Sequence, residues 1–349
     1  MEIAPVDDAP GVRRTNLTLV DVCSGAGGLA LGLEQAGFEP VLLLDELEVA
    51  CETLRANRPD WDVRRMDLRD FDPIDDQQVY DVDLLSAGLP RVPATATVGS
   101  ARSSASQVEL VEATIMLMHG VRPRALLIEN VPDLVTKDEY RSVREFVEIE
   151  LEHLGYRQSW FVLNAADHGV PQDRRQGILV ALEGELMDGF TPPIWNLDPP
   201  VTVGETLYDS MAARGWPQAR EWAAHADRIA PTLVGGSWKR GGGDLGPTGT
   251  KIAWHRMGVN GGSLADEVPG PDYRWQPDLD RADLVRLTVE QTAILQGFPP
   301  EWRFAGRKTA RYRQIGNAFP PPVARALGAA LKAALTTRAS LPDKPVDPG

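Results

Sequence analysis

Few groups in this chain can do chemistry, and most of them stand at the ends of short apolar runs. The first run, NLTLVDVC over residues 16–23, carries Asp21 and Cys23 and empties into SGAGG. Gly25, Gly27 and Gly28 permit a tight turn and close backbone approach to a ligand at the start of a helix. Asp45 ends the next run, 20 residues beyond Gly25, where a carboxylate can take both hydroxyls of a ribose. These features do not choose a cofactor. Gly25-x-Gly27-x-x-Ala30 also satisfies the loose dinucleotide fingerprint, so NAD stays open, as does a purely structural glycine turn. Asp67 and Glu129 end later runs. A strand-end glutamate is a capping or ion-pairing group or, when burial raises its pKa, an acid. Cys51, among Ala and Leu, reads as core, and Cys23 reads as a small buried apolar residue.

The elements that position these groups follow from the pattern of apolar runs. Strands are expected over 16–23, 40–44, 62–66, 82–87, 124–128, 157–164 and 176–182, with helices between them near 107–120 and 138–154. Strands alternating with helices predict an α/β fold with a doubly wound, mostly parallel sheet. Ligands on such sheets sit beyond the C-terminal strand ends, so Asp21, Asp45, Asp67 and the 87–93 loop should converge. The pattern breaks after about residue 185. The segment 186–285 is rich in Gly, Pro and Trp and reads as a smaller, irregular domain, packed around Trp238, Trp254 and Trp275 rather than disordered. Helical spacing returns over 286–337, including a helix over 320–336 that starts at a triple proline, and residues 1–15 and 338–349 read as tails.

Bulk properties set the frame. The 349 residues, 43% hydrophobic and 7% aromatic, match a soluble globular protein with a sizeable core. No apolar run is long enough to span a membrane, and two cysteines build neither a disulfide framework nor a zinc site, so the reducing cytoplasm is the expected compartment. The net charge of −14 sits awkwardly with nucleic acid. Locally basic stretches at 236–256 and 302–313 could still form one basic cleft; Lys239, Arg240, Lys251 and Arg256 are phosphate contacts or solvated surface charges.

In order along the chain, VDVCSGAGGL, Asp45, MDLRDF, AGLP, LIENVPDL, GVPQDRR, RLTVEQTAILQGFP and YRQIGNAFPPPVA resemble the ordered blocks of the DNA cytosine-5 methyltransferases. The resemblance covers about 17–185 and 286–335, and the uncovered insert falls where that family carries its target-recognition domain. It implies a SAM-dependent, Rossmann-like methyltransferase that binds double-stranded DNA and acts on a flipped-out cytosine, with a nuclease or accessory protein as partner. By the same resemblance Asp21 and the Gly25–Gly28 turn, Gly27 included, would hold the methionine end of SAM. Asp45 would hold the ribose, Asp67 the adenine amino group, and Asn317 would complete the wall. Cys23 stands where the family has phenylalanine against the cofactor. Glu129 would protonate cytosine N3, and Arg174 would serve the base.

Two departures touch the reaction. The family's nucleophile is the cysteine of a Pro-Cys pair, and here Pro90 is followed by Arg91, whose guanidinium cannot add to a pyrimidine. Ser86, Thr95, Thr97 and Ser100 are hydroxyls with no evident base beside them. The family's Gln-x-Arg-x-Arg reads Gln172-Asp173-Arg174-Arg175-Gln176, so Gln176 stands where an arginine contacts the O2 of the base. Arg175, one position off on a strand, faces the other way. Three readings follow: a methyltransferase acting on cytosine in DNA by an atypical route or with a nucleophile from elsewhere, a catalytically silent SAM- and DNA-binding module or specificity partner, and a methyltransferase acting on some other nucleophile that needs no covalent adduct.

Overall fold

Seven apolar runs become one sheet. In the computed structural model, which describes residues 16–91, 101–195, 198–235, 243–278 and 283–337, nine strands form in chain order. They are β1 (Leu17–Val22), β2 (Phe38–Asp45), β3 (Val63–Arg65), β4 (Leu84–Gly88), β5 (Ala125–Asn130), β6 (Tyr156–Asn164), β7 (Gln172–Asp173), β8 (Arg175–Glu183) and β9 (Ala230–Pro231). The main sheet has the order β3-β2-β1-β4-β5-β8-β6; β8 alone runs antiparallel to its neighbours, and β7 pairs with β9 separately. The expected mostly parallel, doubly wound sheet is what forms. Strands β1, β4 and β5 are buried along nearly their whole length, as a sheet covered on both faces requires. β2 begins two residues earlier than its apolar run because pairing with β1 starts at Leu17–Phe38.

Helices cover both faces: α1 (Gly28–Ala36), α2 (Glu48–Asn57), α3 (Ala101–Val121), α4 (Pro132–Thr136) and α5 (Arg141–His153). The last helix, α11 (Pro321–Thr336), returns to lie on α1. That crossing depends on small residues, since a β-carbon on Gly32 would sit 2.3 Å from Ala324 Cβ. The order of the sheet reverses between β1 and β4, which opens a crevice at their C-terminal ends.

The insert is more helical than its composition indicates. It holds α6 (Val203–Ala212), α7 (Ala219–His225) and α8 (Thr248–His255); α9 (Val289–Leu295) and α10 (Lys308–Asn317) follow. Both α6 and α9 start with a capping box, Thr202 with Glu205 and Thr288 with Gln291. Trp222, Trp254 and Trp275 are fully buried in one apolar cluster that also takes in Leu54 of α2 and Ile315 of α10. Truncating any of these tryptophans to alanine is expected to cost about 3–5 kcal/mol. Trp238 lies outside the described residues. Among the described residues no helix is long and apolar enough to cross a membrane, and no cluster of His, Cys, Asp or Glu could hold a metal ion.

Candidate cofactor and base site

The turn after β1 is built by backbone conformations that few residues tolerate. Cys23, Gly25 and Gly27 have φ of 54°, 52° and 82°, and the non-glycine Cys23 carries local strain. Asp45 holds the turn from the next strand: its carboxylate accepts the N–H of Gly25 and of Leu47, each at 2.8 Å. From the far end of the chain, the Trp302 indole donates to the Ala26 carbonyl at 3.1 Å, and a β-carbon on Gly28 would lie 2.0 Å from the Phe319 carbonyl oxygen. The C-terminal segment therefore closes directly onto the glycine turn. Trp302 was not singled out from the sequence, because an isolated tryptophan in FPPEW carries no chemical spacing.

A cavity of about 570 Å³ opens above this turn. Cys23, Gly25, Gly28, Asp45, Asp67, Asn317, Arg91 and Glu129 all line it, with Leu29, Leu44, Leu68, Leu89, Leu110 and Phe319 supplying apolar wall. Three other expected site residues stand outside the wall. Gly27 faces Leu54 and Trp302. Asp21 is fully buried beneath the turn, and Arg174 is buried among main-chain carbonyls.

At the turn the field is negative. Asp45, Asp21, Glu46 and Asp67 all bear on Cys23, and burial first and these charges second push its thiol far above the ordinary range. Asp21 accepts a short hydrogen bond from Ser86 Oγ, its Oδ2 has no hydrogen-bond partner, and burial raises its pKa to about 7. Burial also raises Asp45, against the two backbone N–H groups that stabilise its charge. Asp67 is instead held low by Arg69, whose Nη2 donates to Asp67 Oδ2 at 2.5 Å. This pairing of residues two apart was not read from MDLRDF. Asp45 and Glu46, in the wall at the turn, repel a diphosphate and attract a cation, while Arg69 offsets the charge of Asp67. The arrangement fits a nucleoside carrying a sulfonium and disfavours the dinucleotide that the glycine pattern left open.

The base end is organised by β5. Glu129 is buried near its C-terminus, and Asn130 Nδ2 donates to the Pro90 carbonyl at 3.3 Å, tying the loop that carries Arg91 to the strand. Burial raises the Glu129 pKa; the charges of Arg91 and then Arg174 oppose it, as does Gln176, whose Nε2 donates to Glu129 Oε1 at 3.5 Å. Arg175 faces outward, as a strand requires. Arg174 Nη1 donates to the Leu233 and Gly316 carbonyls at 2.9 and 3.1 Å, and Nη2 to that of Ala318 at 3.0 Å. Gln172 works alongside it, accepting the Leu233 N–H at 2.8 Å and donating to Gln296 at 2.9 Å. In this chain PQDRR is a clamp joining the insert to the C-terminal segment. Thr95, Thr97, Ser100, Lys239 and Arg240 lie outside the described residues.

Comparison with known proteins agrees with this geometry. Residues 17–221 and 255–333 match the model of the C-5 cytosine-specific DNA methylases. The chain is 43% identical over 334 residues to the type II methyltransferase M.NaeI of Lentzea aerocolonigenes, covering 95% of this chain and 78% of the relative. It is 39% identical to M.NgoMIV of Neisseria gonorrhoeae, covering 89% and 96%. The fold is also that of the S. pombe Dnmt2 methyltransferase, with a TM-score of 0.62 at 17% identity over 92% of this chain and 99% of that one. The chain belongs to the C-5 cytosine-specific DNA methylase family, whose members use S-adenosyl-L-methionine (SAM) as methyl donor.

Proposed function

We propose that this protein binds SAM and double-stranded DNA and holds a flipped-out cytosine against Glu129 without capturing it covalently. One observation carries the reading: the guanidinium of Arg91 lines the cavity beside Glu129, where the family's reaction needs a thiolate. Guanidinium is always protonated and only donates hydrogen bonds. The other nucleophiles described do not replace a thiolate. Ser86 is fully buried and spends its hydroxyl on Asp21, and the Cys23 thiol is kept protonated on the cofactor side.

SAM, when bound, supplies an electrophilic methyl group. The residues named around the cavity fit it: Asp45 for the ribose hydroxyls, Asp67 for the adenine amino group once Arg69 releases it, the glycine turn for close approach, and Asn317 for the remaining wall. Glu129, its pKa raised by burial, is the group that would donate a proton to N3 of the base while its other oxygen accepts from the amino group. Such a protein serves as a reader or specificity partner for a nuclease or accessory protein in a restriction-modification setting. The expected cofactor residues that line the cavity favour a second reading, methyl transfer by an uncommon route.

Transfer of labelled methyl from SAM to unmethylated DNA separates the two. The parent should transfer nothing and form no denaturant-resistant adduct with DNA containing 5-fluorocytosine. Transfer by the parent would overturn the silent reading, and absence of any heat on titration with SAM would remove the cofactor half.

A further inference from the structure

We propose that Asp21, buried under the glycine turn, is a charge-sensing positioning residue that selects the cationic sulfonium of SAM over its neutral thioether product. The inference rests on the reading of the cavity as a SAM site. Asp21 sits on β1 between Leu43 of β2 and Ser86 of β4, and it is fully buried. It does not reach the cavity, so it touches no ligand. The groups facing it are Ser86 on β4, Ser24 in the turn and Asp45 on β2. Ser86 satisfies one carboxyl oxygen; the other has no partner. Cys23, Ser24 and Gly25, which follow it closely in the chain, line the cavity.

A carboxyl with an unpartnered oxygen, packed beside a second carboxylate and away from water, pays heavily for its charge. With its pKa raised to about 7, it is close to half protonated in neutral solution. A cation placed above it favours the ionised form, because charges inside a protein are weakly screened. Arrival of the sulfonium therefore expels the Asp21 proton to the buffer, and the aspartate left behind attracts the cation. The product has lost both the methyl group and the sulfonium charge and keeps only the α-ammonium that both ligands share, so it draws out less of the proton and gains less attraction. The same carboxyl thus tightens the donor and loosens the spent form.

Calorimetric titration of the full chain at pH 6.5, in two buffers of different ionisation enthalpy, reads the proton directly. If the cation lowers the Asp21 pKa from 7 by about one unit, about half a proton is released per SAM bound and affinity rises about fivefold from pH 6 to pH 8. S-adenosylhomocysteine should release clearly less, and in Asp21→Asn the difference between the two ligands and its pH dependence should both vanish. Ser86→Ala, which keeps the carboxylate and removes its donor, should move the release to higher pH. Equal proton release with both ligands, or a difference between them that persists in Asp21→Asn, overturns the inference while leaving SAM binding intact. No binding of SAM by the parent removes the underlying reading as well.

Discussion

Arg174→Met keeps the length of the side chain and removes every donor, which makes it a sharp test of the clamp. Three carbonyls accept from Arg174. That of Ala318 keeps the Gln296 amide at 2.5 Å. The Gly316 carbonyl has no such reserve: the helical donor four residues on would be Pro320, which has no N–H. Leu233 and Gly316 therefore lose the donors seen in the structure. Each buried carbonyl left without a donor costs about 1–3 kcal/mol, or about 2–6 kcal/mol for the two. Removing a buried guanidinium charge, whose pKa burial already pushes down to about 9, returns part of this. A net loss of about 3 kcal/mol remains. At a urea slope of about 3 kcal/mol per molar, the midpoint of equilibrium denaturation followed by tryptophan fluorescence should fall by about 1 M. The affinity of the folded variant for SAM should stay within about threefold of the parent's. An unchanged midpoint together with weakened DNA binding would refute the clamp and return Arg174 to the base.

Other perturbations test neighbouring links. Gly28→Ala forces a β-carbon against the Phe319 backbone, so a melt should show a loss of about 1–3 kcal/mol and SAM affinity should drop at least about tenfold. Gly25→Ala meets nothing within 4 Å and pays only for its φ of 52°, about 1 kcal/mol; equal losses for the two would contradict the close approach. Because the folded pKa of Asp21 is raised, its contribution favours folding below the unfolded value near 4 and is lost as pH rises through about 7. Asp21→Asn should therefore gain roughly 2–3 kcal/mol on the parent between pH 5 and pH 8 in paired denaturation curves, and a constant difference would sink this. Arg91→Cys with Gln176→Arg should transfer labelled methyl to DNA at least about tenfold faster than Arg91→Cys alone, since a neutral amide at position 176 now donates to Glu129. Equal rates would show that position 176 does not serve the base.

Much of the cofactor half was legible before any fold was known. Apolar runs ending in Gly25, Asp45, Asp67 and Glu129 mark strand ends, and strand ends on one side of a parallel sheet must meet. Alternation on a strand likewise places Arg175 outside and Gln176 inside. The helices of the insert were harder to see, because α6, α7 and α8 span only two or three turns each and owe their stability to the shared tryptophan core rather than to a long repeat.

What only the tertiary structure decided is which side chains are free to act. Asp21 and Asp45 are both strand-end acids in the sequence, yet one is sealed under the turn and the other lines the cavity. Arg174 and Arg91 are both arginines beside family motifs, yet one is consumed by three carbonyls and the other lines the cavity with Glu129. Residue type and spacing determine which chemistry is available. Burial and hydrogen-bond partners, which come from segments 59 to 144 residues away in the chain, determine which groups still have a charge or a lone pair to offer.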